Sequence, residues 1–174
     1  MFDVKIHTAP VAELISVDDD VKPHLAITHT DDDTYLTALV KQVREATERF
    51  CGIAIGEQTR KWVYDFDVCE WNIPYGPVIS ITSVVRRTGA GTTETLTANE
   101  GYELQGEHNK TMTVYSGGRC TITYVTGYTT LPDGLKRGML EEIAFRYEHR
   151  GDTNPGLSEG AKSYLIRYKD FNWE

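Results

Sequence analysis

Two acidic triplets, Asp18 to Asp20 and Asp31 to Asp33, have the residue types for chemistry, because clustered carboxylates suit Mg²⁺ or Ca²⁺. Both stand at predicted helix starts, and neither has the glycine-bearing loop spacing of an EF-hand. Carboxylates in a first turn meet the positive end of the helix dipole, so capping is the reading they support. His24 and His29, five apart and close to Asp31, offer imidazoles for metal or acid-base work, but no second half of a site accompanies them. HExxH, GxSxG, a P-loop and a Rossmann glycine pattern are all missing, and the run GAGTTE from Gly89 reads as a hairpin turn. Cys51 ends a predicted helix, where the dipole disfavours a thiolate, and is read as core. With Cys69 and Cys120 it gives an odd number of thiols and no zinc spacing. The expectation is a protein without catalytic residues, metal or cofactor: not an enzyme.

Aromatic residues form two groups. Trp62, Tyr64 and Phe66, with Trp71 and Tyr75, could present a platform for sugars or bases, but their alternation favours a sheet core. Tyr164, Tyr168, Phe171 and Trp173 crowd the last residues beside Lys162, Arg167 and Lys169. Aromatic and basic residues together suit an interface anchor. The alternative, a terminal helix docked on its own core, stands beside it.

The elements that must position these residues follow from periodicity. Ser16 is placed to cap a helix of about two turns over 17–25 that contains Pro23. Thr30 or Asp31 caps a longer helix with Leu36, Leu39, Val40, Val43, Ala46 and Phe50 on one face and Gly52 at its end. Lys41, Arg44, Glu45, Glu48 and Arg49 fill its other face. From 59 to 127 the period becomes two, with strands expected over 59–66, 78–87, 93–97, 102–104, 111–115 and 120–126. Pro132 opens a third helix carrying Leu135, Met139, Leu140, Ile143, Ala144 and Tyr147, and Ser158 caps a terminal helix reaching Phe171.

The fold class expected is α+β: a helical bundle from the N- and C-terminal segments with an inserted antiparallel, barrel-like β region. With 174 residues the chain is read as one domain. Its helical core is 15–58 and 131–157, its β-rich insert 59–127, and its C-terminal helix or tail 158–174. The net charge of -8, without a Lys/Arg cluster, argues against tight nucleic-acid binding. No signal-peptide pattern or membrane-length apolar run occurs, so assembly in a cytoplasm is expected.

The order of motifs resembles the head-tail connector family of tailed bacteriophages and phage-like particles. It is carried by ISVDDDVKPHLAITHTDDDTYLTALVKQVREATERFCGIAI, then QTRKWVYDF, IPYGPVISITSV and ITYVTGYTTLPDGLKRGMLEEIAFRYEHRGD, over about residues 15–170. Pro23 and the divergent residues 1–14, which could form an extra strand or arm, depart from the pattern. The resemblance implies a virion protein at the head-tail interface, a ring, commonly of twelve, beneath the portal. Its partners would be its own copies, the portal protein and a tail-side connector or tail terminator, with genomic DNA passing through without sequence-specific binding. Portal contacts would fall on Tyr164, Leu165, Arg167, Tyr168, Phe171 and Trp173, and removing residues 158–174 is expected to leave a folded monomer. Contacts between subunits would fall on Lys41, Arg44, Glu45, Glu48 and Arg49. The alternative is another virion component, such as a tail-completion or baseplate protein.

Overall fold

The computed structural model describes residues 3–10, 12–66, 70–89, 91–107, 110–116, 118–151 and 156–170. They divide into two compact units, one built mainly from residues 56–128 together with an N-terminal strand, the other from 12–55 and 129–170. Among the described residues the class is α+β, with four helices and two antiparallel sheets.

In the first unit, β1 (Asp3–Thr8), β2 (Gln58–Phe66), β8 (Gly118–Thr126), β4 (Val78–Arg87) and β5 (Thr93–Thr95) form one sheet, in the order β1-β2-β8-β4-β5. A second sheet has the order β3-β7-β6, from β3 (Glu70–Asn72), β7 (Thr111–Val114) and β6 (Tyr102–Gln105). Period two decides what is buried. Alternate residues Cys120, Ile122 and Tyr124 of β8 join Trp62 and Val84 from the flanking strands and Tyr102, Met112 and Val114 from the second sheet in one core. The described strands form two open sheets rather than the expected barrel-like insert, with β1 and β5 as the edges of the larger one. β1 realises the strand foreseen as possible in the divergent N-terminus, and β3 went unforeseen because three residues carry too little pattern.

In the second unit, a π-helical turn (Val17–Val21) runs into α1 (Lys22–Leu25), followed by α2 (Asp33–Cys51), α3 (Asp133–Glu148), α4 (Glu159–Leu165) and a 3₁₀ turn (Ile166–Tyr168). Pro23 falls in the first turn of α1, which continues the π-helical turn before it. α2 buries Leu36, Leu39, Val40, Val43, Thr47 and Cys51 at three- and four-residue spacing, and Gly52 closes it in the left-handed region. Neither Thr30 nor Asp31 caps α2. Asp32 takes that position with its backbone, and no side-chain cap forms, because its carboxylate is held by α3 and the turn after it. The expected stripe of α3 is also modified: Leu135, Met139 and Ile143 are buried, but Gly138 and Glu142 share that face while Leu140, Ala144 and Tyr147 are half-buried. Among the described residues, no helix is long and apolar enough to cross a membrane.

Candidate assembly surfaces

Most carboxylates of the acidic triplets are engaged within the chain, and Asp31 stays exposed. Ser16 Oγ accepts the Asp19 N–H at 3.1 Å, and Asp20 accepts the Ser16 N–H at 3.0 Å while pairing with Lys136 on α3 at 2.6 Å. Burial pushes the Asp20 carboxyl up, but the Lys136 hydrogen bond, the Ser16 N–H and the Lys136 charge together leave it below its ordinary value. Lys22 reaches Asp18 and Asp33 at 2.7 Å each, and these bonds raise its pKa. Among the described residues no three His, Cys, Asp or Glu side chains are grouped to hold a metal ion. Cys51 is buried, donates to the Leu165 carbonyl at 3.5 Å, and is pushed up to about 12 by desolvation, so its thiol stays protonated. Cys120 is buried as well, and Cys69 lies outside the described residues.

Trp62 is fully buried in the sheet core, and Tyr64 lies tilted between it and Trp71, at 5.6 and 4.4 Å between ring centroids. The aromatic alternation therefore builds a core, as expected. Tyr75 instead receives the Arg60 guanidinium over its ring at 3.8 Å, and the Phe66 side chain lies outside the described residues.

The terminal segment is tied down from both ends. Ser158 Oγ accepts the Ala161 N–H at 3.2 Å, and the Ser158 N–H donates to Glu142 Oε2 at 2.7 Å. Glu142 is 0% exposed; its other oxygen accepts from Arg146 Nε at 2.7 Å. Ala161 and Leu165 are fully buried, and a Cβ at Gly138 would come within 2.8 Å of the Leu165 side chain. At Gly134 a Cβ would come within 2.6 Å of the Tyr168 hydroxyl. The Asp170 N–H then donates to the Cys51 carbonyl at 2.7 Å. Of the six residues expected to meet the portal, Leu165 is spent on the chain's own core and Tyr168 is half-buried, whereas Tyr164, 40% exposed, and Arg167 face outward. Phe171 and Trp173 lie outside the described residues. Ile166, 46% exposed beside them, was not singled out from the sequence because its neighbours gave it no apolar partner at helical spacing. Removing residues 158–174 therefore takes core side chains away, and the neutral truncation expected from the sequence does not follow.

The five residues expected between subunits separate in the same way. Lys41, Glu45 and Arg49 are exposed, while Arg44 and Glu48 are each only 4% exposed. Arg44 Nε binds both oxygens of Glu13, at 3.0 and 2.9 Å, and its Nη1 stands 3.3 Å from Glu48. Glu48 in turn accepts the Ile55 N–H at 2.7 Å. The placement of Arg44 and Glu48 on an outer face is thus corrected: both tie segments of their own unit to α2. Glu13 and Glu142 gave no signal in the sequence, because an isolated acid looks the same whether it is solvated or buried with a partner.

On another side of this unit, Asp32 accepts from the Tyr147 hydroxyl at 2.6 Å and from Arg150 Nη2 at 3.0 Å, and Arg150 lies over the rings of Tyr35 and Tyr147 at 4.5 and 4.3 Å. The Tyr147 hydrogen bond, then Arg150, holds the Asp32 carboxyl below its ordinary range. Tyr147 is raised by the same bond. This cluster locks the start of α2 to the end of α3.

No curated protein matches the sequence. Three structures of gene transfer agent (GTA) particles contain a chain of the same fold. They are described as "Neck of empty GTA particle computed with C6 symmetry", at TM-score 0.77 and 19% identity over 96% of this chain and 95% of that one; "Virion of native gene transfer agent (GTA) particle", at 0.75 and 19% over 95% and 94%; and "Neck of native GTA particle computed with C12 symmetry", at 0.75 and 18% over 96% and 94%. The resemblance read from the sequence holds, for residues 18–87, which run from the π-helical turn to the end of β4, match the family described as Phage gp6-like head-tail connector protein.

Proposed function

We propose that this chain is a structural head-tail connector subunit of a phage or phage-like virion, working as one domain whose helices form a bundle, and that it assembles into a ring of twelve beneath the portal. The ring extends the DNA channel and offers a docking surface to the next tail component, with no chemical step of its own. The observation that carries this reading is the connector-family match over residues 18–87 within a fold shared, along nearly the whole chain, with a chain of the C12 neck. Geometry is the product. Heterologous contacts close into a ring when the rotation between subunits returns to its start, and many weak contacts then hold a symmetric vertex tightly. Tyr164 and Arg167, with Phe171 and Trp173, are the portal-facing residues in this reading, and Lys41, Glu45 and Arg49 are the exposed inter-subunit candidates.

The test is reconstitution. Purified chain is mixed with tail-less particles that carry a portal but no connector, and the vertex is imaged by electron microscopy. A ring of added density under the portal is expected. Failure to associate with any portal-bearing vertex would falsify the proposal, and turnover of a small molecule by the free chain would point to an enzyme instead.

A further inference from the structure

The face of the five-stranded sheet turned away from the Trp62 and Ile122 core carries an unusual juxtaposition. In register across it stand Asp65 on β2, Arg119 on β8 and Arg87 on β4. Arg119 and Arg87 are direct cross-strand neighbours, and both are exposed. Like charges in that position destabilise a sheet. Lys61, also exposed, lies on the same face two rows along β2, in register with Lys5 of β1. Where β4 and β8 meet the hairpin, Arg86, Arg87, Thr88, Gly89, Gly118 and Arg119 line an open pocket of about 450 Å³. Arg86 pairs with Glu94 through Nη2 at 2.5 Å. Asp65 flanks only one side of the row, so a net positive surface persists on a chain of net charge -8.

We infer that Arg87 and Arg119 form a carboxylate-binding surface for a second copy of this chain, whose exposed Asp18 and Asp31 supply the carboxylates; this rests on the ring assembly proposed above. Two copies of charge -8 repel on average, and contact becomes favourable where the positive row of one meets an acidic edge of the other. Such an edge is present. The side chains of Asp31 and Asp18 are 91% and 77% exposed; Asp31 stands 3.9 Å from His29, and Asp18 shares Lys22 with Asp33. Guanidinium groups bind carboxylates through paired N–H donors, and a carboxylate between two like-charged arginines removes the strain of their apposition. The two surfaces differ, so the contact is heterologous and propagates around a ring. A duplex is the less suited occupant, because Asp65 stands in the same row and the whole chain repels a polyanion.

The test compares wild type with R87Q/R119Q, D18N/D31N and the four-fold combination on connector-free particles, reading the protein concentration at which half the vertices are filled. R87Q/R119Q is expected to melt no lower than wild type, since it relieves a repulsion, yet to need about tenfold or more protein. The combination is expected to be no worse than the weaker of its two parents, as residues that pair are non-additive. Wild-type filling by R87Q/R119Q, or strictly additive losses in the combination, overturns the inference. So does binding of a 20-base-pair duplex at low salt that R87Q/R119Q abolishes while filling vertices normally. If wild type itself fills no vertex, the connector reading falls; if wild type and R87Q/R119Q fill vertices alike, only this inference does.

Discussion

Glu142 has no solvent to turn to, and both of its oxygens are engaged, one by the Ser158 N–H and one by Arg146. Replacing it with alanine strands a buried backbone donor and a guanidinium, so Glu142→Ala is expected to cost about 1–3 kcal/mol in urea unfolding. Ser158→Ala, which removes only the cap hydroxyl, is the smaller loss, about 1 kcal/mol. A variant as stable as wild type would mean that Glu142 does not anchor α4. Asp32 gives a dependence on pH. Its folded pKa is depressed by Tyr147 and Arg150, so its contribution is fully present above the unfolded value of about 3.9 and is lost as pH falls through the lower folded value. Melting temperatures of wild type and Asp32→Asn are therefore expected to differ at neutral pH and to converge below about pH 4. A gap that stays constant into acid would assign the difference to something other than this carboxylate.

Helix α3 carries Gly134 in its first turn and Gly138 in its interior, where a glycine costs about 1 kcal/mol relative to alanine. The Tyr168 hydroxyl and the Leu165 side chain occupy the space that a Cβ would need. Close approach of the terminal segment to α3 explains both glycines. Gly138→Ala forces Leu165 and Tyr164 to move and is expected to destabilise by about 1–3 kcal/mol, despite alanine's better helix propensity. An increase in melting temperature would show that α4 gives way at no cost. In the sheet unit, Gly127 has φ 125°, and a Cβ there would fall on the Gly56 carbonyl, so the backbone leaves no room for a side chain.

For the whole molecule, the question is whether the terminal segment can hold its own core and still meet a partner. Ala161 and Leu165 are buried while Tyr164 and Arg167 are exposed, so the two roles fall on different residues of the terminal segment. Tyr164→Ala with Arg167→Ala is accordingly expected to leave the melt within about 0.5 kcal/mol of wild type, as exposed substitutions do. The same pair is expected to weaken filling of portal-bearing vertices by about tenfold or more, since Tyr and Arg carry much of the energy at interfaces. Unchanged filling would move the portal contact away from these two residues. The double change separates binding from folding, which removal of residues 158–174 does not.

Periodicity in the sequence was enough for the long helix α2, the strands β2, β4 and β8, and the Ser16 and Ser158 caps, because each depends on neighbours within a few residues. The burial of Trp62 and Cys51 was legible for the same reason. Only the tertiary structure decided that Arg44 and Glu48 lie inside, that Asp32 begins α2 while serving Tyr147 and Arg150, and that Leu165 belongs to the core. It also opened the β region into two sheets. Several of these outcomes turn on a partner far along the chain, such as Glu13 for Arg44, 31 residues away, or Arg150 for Asp32, 118 residues away. Local pattern states whether a side chain is apolar or charged; which distant group arrives to satisfy it is settled by packing.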